Sequence, residues 1–317
     1  QNSDGAGTTS NALAFSGYAG SNTGATEEWT GAGAPVGAWS TGGNLNTARQ
    51  GPGGAGVSNT SSLAFGGETG SPSDRTGVTE LYNGTSWTEL NDLNTARNTQ
   101  GSNGTVTSAL SYGGYVPPGN SYTNVTESWN GTNWTEVNDL NTPRQGLAGA
   151  GASNTSALAF GGYNGSRLGD TESWNGSNWT EVNNLNTPRS NLAGCGIITS
   201  ALAFGGYDTE AKEGAELWNG TNWADVADMN TEKYNNAGCG TSTLALSFGG
   251  HDTDVLALTE EWNGASWAEV ADLSTGRQVL GGSGTATSGL AFGGTPPRTA
   301  ATEEWNVPSN VVKTLTD

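Results

Sequence analysis

Residues 144–185 read RQGLAGAGASNTSALAFGGYNGSRLGDTESWNGSNWTEVNNL. Gly146 to Ala152 forms a strand of small side chains, and Asn154-Thr155 turns the chain. Ala157 to Phe160 then alternates, with Leu158 and Phe160 on one face and Ala157 and Ala159 on the other, until Gly161-Gly162 ends the run. After a variable loop, Thr171 to Trp174 is a third strand and Trp179 to Leu185 a fourth. Between them Asn175-Gly176 predicts a type I′ hairpin, because both residues tolerate positive φ. No stretch shows a helical period. Pro143 and Pro188 fall between units, where no ladder donor is needed.

This unit recurs along the chain. A Leu-x-Phe/Tyr core leading into Gly-Gly, or Ser16-Gly17 in the first copy, places its aromatic at Phe15, Phe65, Tyr112, Phe160, Phe204, Phe248 and Phe292, with spacings of 50, 47, 48, 44, 44 and 44. A Glu-x-Trp/Tyr mark follows at Glu27/Trp29, Glu80/Tyr82, Glu127/Trp129, Glu172/Trp174, Glu216/Trp218, Glu260/Trp262 and Glu303/Trp305. A second Trp comes at Trp39, Trp87, Trp134, Trp179, Trp223 and Trp267, and a basic residue closes the pattern at Arg49, Arg97, Arg144, Arg189, Lys233 and Arg277.

Gly-Gly, an aromatic after a loop, Trp and then Pro-Arg, repeated over nearly the whole chain, resembles the kelch motif. The resemblance implies an all-β fold: a single seven-bladed kelch-type β-propeller, four antiparallel strands per blade, occupying residues 1–317. The blades are expected near 1–46, 47–94, 95–141, 142–186, 187–230, 231–274 and 275–317. The departures are Tyr82 for Trp, Lys233 for Arg, a first unit with no preceding Arg and a last unit without the second Trp. The chain reads as starting with an inner strand and ending with an outer one, Val311 to Thr316, so that first and last blades meet by packing alone.

The repeated residues are expected to be scaffold, since an active site needs to be unique. Gly and Ala let the inner strands converge on the axis. Trp129, Trp174, Trp218 and Trp262 fill the wider space outside it, each burying roughly 150–250 Å². Glu80, Glu127, Glu172, Glu216 and Glu260 pair with Arg97, Arg144, Arg189 and their equivalents in a neighbouring unit. Breaking one such buried pair costs about 3–5 kcal/mol.

Composition narrows the function. Glycine supplies 51 of 317 residues, against an ordinary usage of about 7%, but 12 regularly spaced Trp argue against disorder. Thirty acidic and eleven basic residues leave a net charge of −19, which disfavours nucleic acid and anionic membrane as partners. The acidic surface serves solubility; a saline environment or bound cations are the alternatives. No apolar stretch is long enough to span a membrane. Gln1 in the place of Met suggests processing or a segment of a longer chain. Cys195 and Cys239 each sit in Gly-Cys-Gly, one repeat apart. They are read as buried, reduced core residues in equivalent inner-strand positions, because the number is too small for a disulfide framework and the spacing wrong for zinc.

Catalytic sets are scarce. Copper-radical oxidases with a kelch-like propeller need Tyr, Cys and His ligands, and His251 is the single histidine. A Ser-His-Asp set would have to commit it, and no Gly-x-Ser-x-Gly elbow occurs. Asp208, Glu210, Glu213, Asp252 and Asp254 lie in matching loops. They read as solvated acids, with a calcium site or a glycosidase pair as alternatives. The position after Gly-Gly holds Tyr18, Glu68, Tyr115, Tyr163, Tyr207, His251 and Thr295. Tyrosines there either stack on sugars around a channel mouth or simply end their strands. Eleven Asn-x-Ser/Thr sequons, Asn83, Asn130 and Asn175 among them, are read as turn composition.

The expected function is non-enzymatic: a structural or adhesive binding propeller of a virion, in a phage tail or capsid fibre, or of an extracellular assembly. The near-identical Asn/Thr/Gly-rich units resemble kelch-like repeats of marine bacteriophage structural and fibre proteins. The alternative is a secreted carbohydrate-binding lectin. Expected partners are virion or filament proteins, a cell-surface glycan, or further copies of the chain. Binding residues are expected at Tyr18, Tyr115, Tyr163, Tyr207, His251, Asp252 and Asp254. The face carrying the loops 68–76, 116–123 and 252–257 is the expected binding face, because these loops vary while hairpins and crossovers repeat.

Overall fold

The computed structural model describes residues 4–7, 11–18, 22–30, 37–70, 74–117 and 121–308. It contains two compact units, one of residues 38–306 and one of residues 1–37 with 307–317. The larger unit is a β-propeller of six four-stranded antiparallel blades. Blade one comprises Gly53–Ser58, Ser61–Phe65, Thr79–Tyr82 and Trp87–Glu89, from axis to rim. Blades two to five repeat this order, with inner strands Gly101–Thr105, Ala148–Ser153, Ala193–Ile197 and Ala237–Gly240. The smaller unit contains one three-stranded sheet, Asp4–Gly7, Asn11–Tyr18 and Asn22–Thr30.

The expectation of seven blades is therefore corrected to six, and the cause is the closure. Blade six takes Gly281–Thr285, Ser288–Phe292 and Thr302–Asn306 from the end of the chain. Its outer strand is Ala38–Thr41, which pairs antiparallel with Thr302–Asn306 and sets Trp39 opposite Trp305. The last repeat lacks its own second Trp, and Trp39 of the first repeat supplies it. Closure is by an exchanged strand, not by packing alone. Val311 to Thr316 lie outside the described residues.

The blade interior follows from the alternation. Leu158 and Phe160 pack on Ala201 and Ala203 of blade four, while Ala157 and Ala159 receive Leu110 and Tyr112 of blade two. A bulky face thus meets a small one at each junction. The strand-two aromatic meets the next blade's rim tryptophan edge-on or tilted, as in Phe160–Trp223 at 4.9 Å and Phe248–Trp39 at 4.9 Å. Near the axis there is no room for more: a Cβ on Gly149 would lie 1.8 Å from the Tyr112 hydroxyl oxygen.

Two sets of backbone bonds close the ring. Gly51, Thr99, Gly146, Asn191, Asn235 and Val279 all adopt φ between +51° and +63°. Each donates its N–H to the carbonyl of its counterpart in an adjacent blade, from Thr99 to Gly51 (3.0 Å) round to Gly51 to Val279 (2.7 Å). In the second set the latter glycine of each Gly-Gly donates to the carbonyl of the next blade's basic residue, ending with Gly294 to Arg49 at 2.9 Å. Gly66 and Gly67 take φ of +67° and +108°, and a Cβ on Gly66 would lie 2.7 Å from the Arg97 carbonyl oxygen. The Asn-Gly hairpins differ from the expected type I′. Trp174 pairs with Trp179 across a four-residue loop in which Asn175 Oδ1 accepts the N–H groups of Ser177 and Asn178, and Gly176 alone takes positive φ.

The basic residues and glutamates meet in six buried pairs. Arg49–Glu80, Arg144–Glu172 and Arg277–Glu303 are 2.9 Å apart and Arg189–Glu216 3.0 Å, with Arg97–Glu127 and Lys233–Glu260 alike. Burial pulls each guanidinium pKa down from its ordinary value, and the facing glutamate opposes it. A second guanidinium nitrogen donates to the carbonyl that leads into strand three, as from Arg49 to Val78 at 2.7 Å.

Two repeats depart from this pattern, and each leaves further polar atoms without a partner. Lys233 reaches Glu260 at 3.2 Å without hydrogen-bond alignment, so its Nζ and Glu260 Oε1 are both unsatisfied. Rim tryptophans donate Nε1 to the first threonine of the preceding blade's third strand, as Trp223 does to Thr171 at 3.1 Å. Ala215 stands at that position in blade four, and Trp267 Nε1 has no partner. A neutral hydrogen bond contributes about 0.5–1.5 kcal/mol. Ala215→Thr and Lys233→Arg are each expected to raise the midpoint of thermal unfolding by several degrees and to act additively, measured by calorimetry on the single and double variants.

Candidate loop-face site

Beyond each Gly-Gly the chain makes one more antiparallel bridge with the residue after the basic one. The pairs are Gln50–Glu68, Asn98–Tyr115, Gln145–Tyr163, Ser190–Tyr207, Tyr234–His251 and Gln278–Thr295. The bridges put the residue after Gly-Gly at the same height in all six blades, on the face that carries the loops between strands two and three. Tyr115, Tyr163, Tyr207 and His251, expected there from sequence, are all half-buried. Tyr18 belongs to the separate three-stranded sheet and is not one of these six positions.

The rings form a connected arc. Arg75 of blade one lies over Tyr115, its guanidinium carbon 4.5 Å from the ring centroid. Tyr115 meets Tyr122 at 5.5 Å, and Tyr122 meets Tyr163 of blade three at 5.8 Å. Arg167 bridges Tyr163 (5.7 Å) and Tyr207 of blade four (4.9 Å). Tyr207 touches Tyr234 of blade five at 5.1 Å, and Tyr234 touches His251 at 5.3 Å. Tyr122 is positioned by a short extra hairpin, Tyr115–Val116 with Ser121–Tyr122, which lengthens the blade-two loop. Burial raises its phenol pKa, with Tyr163 and Tyr115 adding to the effect.

On the remaining sector the site is polar. Glu68 is buried and accepts from Arg298, from Gln50 Nε2 (3.2 Å) and from Asn98 Nδ2 (3.2 Å). Asn98 in turn accepts from Arg75 Nε at 2.9 Å, which joins this cluster to the arc. Below the face runs an axial cavity of about 210 Å³ lined by the inner strands, Cys195, Cys239 and Ser283 among them.

The loop acids of blade four gather around a lysine. Lys212 sits 3.2 Å from Asp208 and 3.1 Å from Glu210. Burial pushes the Asp208 carboxyl up, but hydrogen bonds from Thr209, Lys212 and Glu210 outweigh it and hold the pKa at about 2. A general acid must keep its proton, which Asp208 does not. Asp252 and Asp254 lie in the corresponding loop of blade five, where the Asp252 N–H bonds the Asp254 carbonyl at 3.1 Å. Among the described residues no three His, Cys, Asp or Glu side chains are grouped to hold a metal ion, and no helix is long and apolar enough to cross a membrane. No protein-family model and no curated protein matches the chain.

Sequence reasoning had not singled out Tyr122, Tyr234, Arg75 or Arg167 as members of a site. Tyr234 was within reach, because it directly follows the basic mark Lys233 and so must face His251. The arginines were visible only as members of loops of different length.

The cysteines sit in equivalent registers, Cys195 opposite Leu202 and Cys239 opposite Leu246. Both are free and buried, and each thiol donates to a carbonyl of the next blade at 3.4 Å, Thr241 and Thr285. Burial pushes the Cys239 thiol up to about 12 and that of Cys195 higher still. Since the thiolate is the nucleophile, the native protein is expected to resist alkylation by iodoacetamide at neutral pH, and the denatured protein to take up two labels by mass spectrometry.

Proposed function

We propose that this protein is a non-enzymatic adhesive propeller that recognises a saccharide on the loop face, as a component of a virion, a fibre or another extracellular assembly. The observation that carries the reading is the arc of half-buried aromatic rings crossing blades two to five. Amphipathic rings present an apolar face with a polar edge, which suits the C–H face and the hydroxyl rim of a sugar. Their support is a rigid scaffold whose own polar groups are largely satisfied internally, so the exposed ring faces are surplus to folding. The assembly context rests on the resemblance of the repeats to kelch-like units of phage structural proteins. It is tested separately, by finding the chain among the proteins of purified particles.

Tyr163→Ala and Tyr207→Ala are expected to lower affinity for a glycan bound by the wild type by about tenfold each, the equivalent of roughly 1.4 kcal/mol, with the unfolding midpoint little changed. Substitutions in the Asn83, Asn130 and Asn175 hairpins of the opposite face are expected to leave binding intact. Glycan-array screening followed by calorimetric titration measures both. Loss of binding in the hairpin variants alone would move the site to the other face.

A further inference from the structure

The distribution of positive charge says what kind of saccharide fits. Ten of the eleven basic residues lie among the described residues. Six are consumed in the buried pairs with glutamate. Lys212 is held by Asp208 and Glu210, and Arg298 by Glu68. The remaining two, Arg75 and Arg167, form no ion pair among the described residues, and both lie on tyrosine rings of the arc. In a chain of net charge −19, these two arginines, without a carboxylate partner among the described residues, lie on one face interleaved with aromatic rings.

Resting on the saccharide reading, we propose that the ligand carries an anionic group, a carboxylate or a sulfate, and that Arg167 receives it, with Arg75 as a second point of the same chemistry. Arg167 is exposed, and its guanidinium carbon lies between the rings of Tyr163 and Tyr207 from adjacent blades, at 5.7 Å and 4.9 Å from their centroids. A guanidinium held in this way offers a pre-oriented fork for two parallel hydrogen bonds to a carboxylate or sulfate. The sugar ring bearing that group then lies against the neighbouring tyrosine. The rest of the acidic molecule sets an upper limit on ligand charge. A long polyanion meets repulsion from the whole protein, whereas a single acidic sugar on a neutral chain feels mainly the local arginine, because exposed charges beyond a Debye length of about 10 Å at 0.1 M salt are screened.

The test is titration of the full chain with sialyllactose and 3′-sulfolactose against lactose, and with trigalacturonate against its methyl ester. The expected result is binding of at least one acidic member about tenfold or more tighter than its neutral partner. Arg167→Gln should remove that preference, and with it the salt dependence. The carboxylate and sulfate probes separate the two sources of charge. Equal affinity for acidic and neutral partners, still lost in Tyr163→Ala, would overturn the charge assignment and leave saccharide binding standing. A charge preference unchanged in Arg167→Gln and in Arg75→Gln would overturn the assignment to these residues. Absence of binding to every probe and to a glycan array would overturn both this inference and the reading on which it rests.

Discussion

Everything in the propeller hangs on one buried cation per blade. Arg144 shows the arrangement: its side chain bonds Glu172 and the Asp170 carbonyl of the blade it introduces, while its own carbonyl accepts the N–H of Gly114 in the blade before. One residue thereby joins the crossover, the third strand and the neighbouring blade. Glu172 also accepts the N–H of Asn141 at 2.7 Å, so the carboxylate stitches the crossover down from the other side. Burying a charge pair is expensive unless the remaining lone pairs and protons are satisfied, and here the backbone satisfies most of them, leaving Arg144 Nε without a partner. Removing either partner leaves an uncompensated charge at 0–1% side-chain exposure. This explains why the two residues recur while the loops between them change freely.

The same residue explains the blade number. A blade needs a cation before its inner strand and a rim tryptophan on its outer strand. The chain has six of each, Arg49 to Arg277 and Trp39 to Trp267, against seven copies of the strand-three mark. Counting the strand-three mark gave seven; counting the residues that connect blades gives six. Trp39 belongs by sequence to the first repeat, yet it packs against Phe248 of blade five and donates to Thr259 of that blade at 3.0 Å. Sequence order assigned that strand to its own repeat, and only the pairing of Ala38–Thr41 with Thr302–Asn306 reassigns it.

Local structure was the legible part. Strand alternation and Gly-Gly follow from residues a few positions apart and the Glu–Arg pairing from one repeat's spacing, and they place the strands of residues 148–182 within two or three residues. The arc was only half legible. Its Gly-Gly tyrosines repeat with the scaffold and can be counted, but Tyr122 and Arg167 enter through loops whose shapes the repeat does not dictate. Their contacts cross blade boundaries, and such neighbours are fixed by ring closure and not by spacing along the chain.

The backbone ring near the axis shows how tightly closure constrains these blades. Gly51, Gly146 and two asparagines accept the left-handed conformation at little cost, but Thr99 and Val279 are β-branched and hold it at φ +51° and +52°. A left-handed conformation costs an L-residue roughly 1–2 kcal/mol, and strain of this size persists only where the surroundings over-determine it. Here the surroundings are five other residues, each giving its N–H to one neighbour and its carbonyl to the other. If Val279 left the ring, the carbonyl of Asn235 would lose its donor and the N–H of Gly51 its acceptor. This same rigidity holds the residues after Gly-Gly in register round the loop face, and the bridges Glu68–Arg75 and Tyr163–Arg167 tie the two arginine-bearing loops back to them.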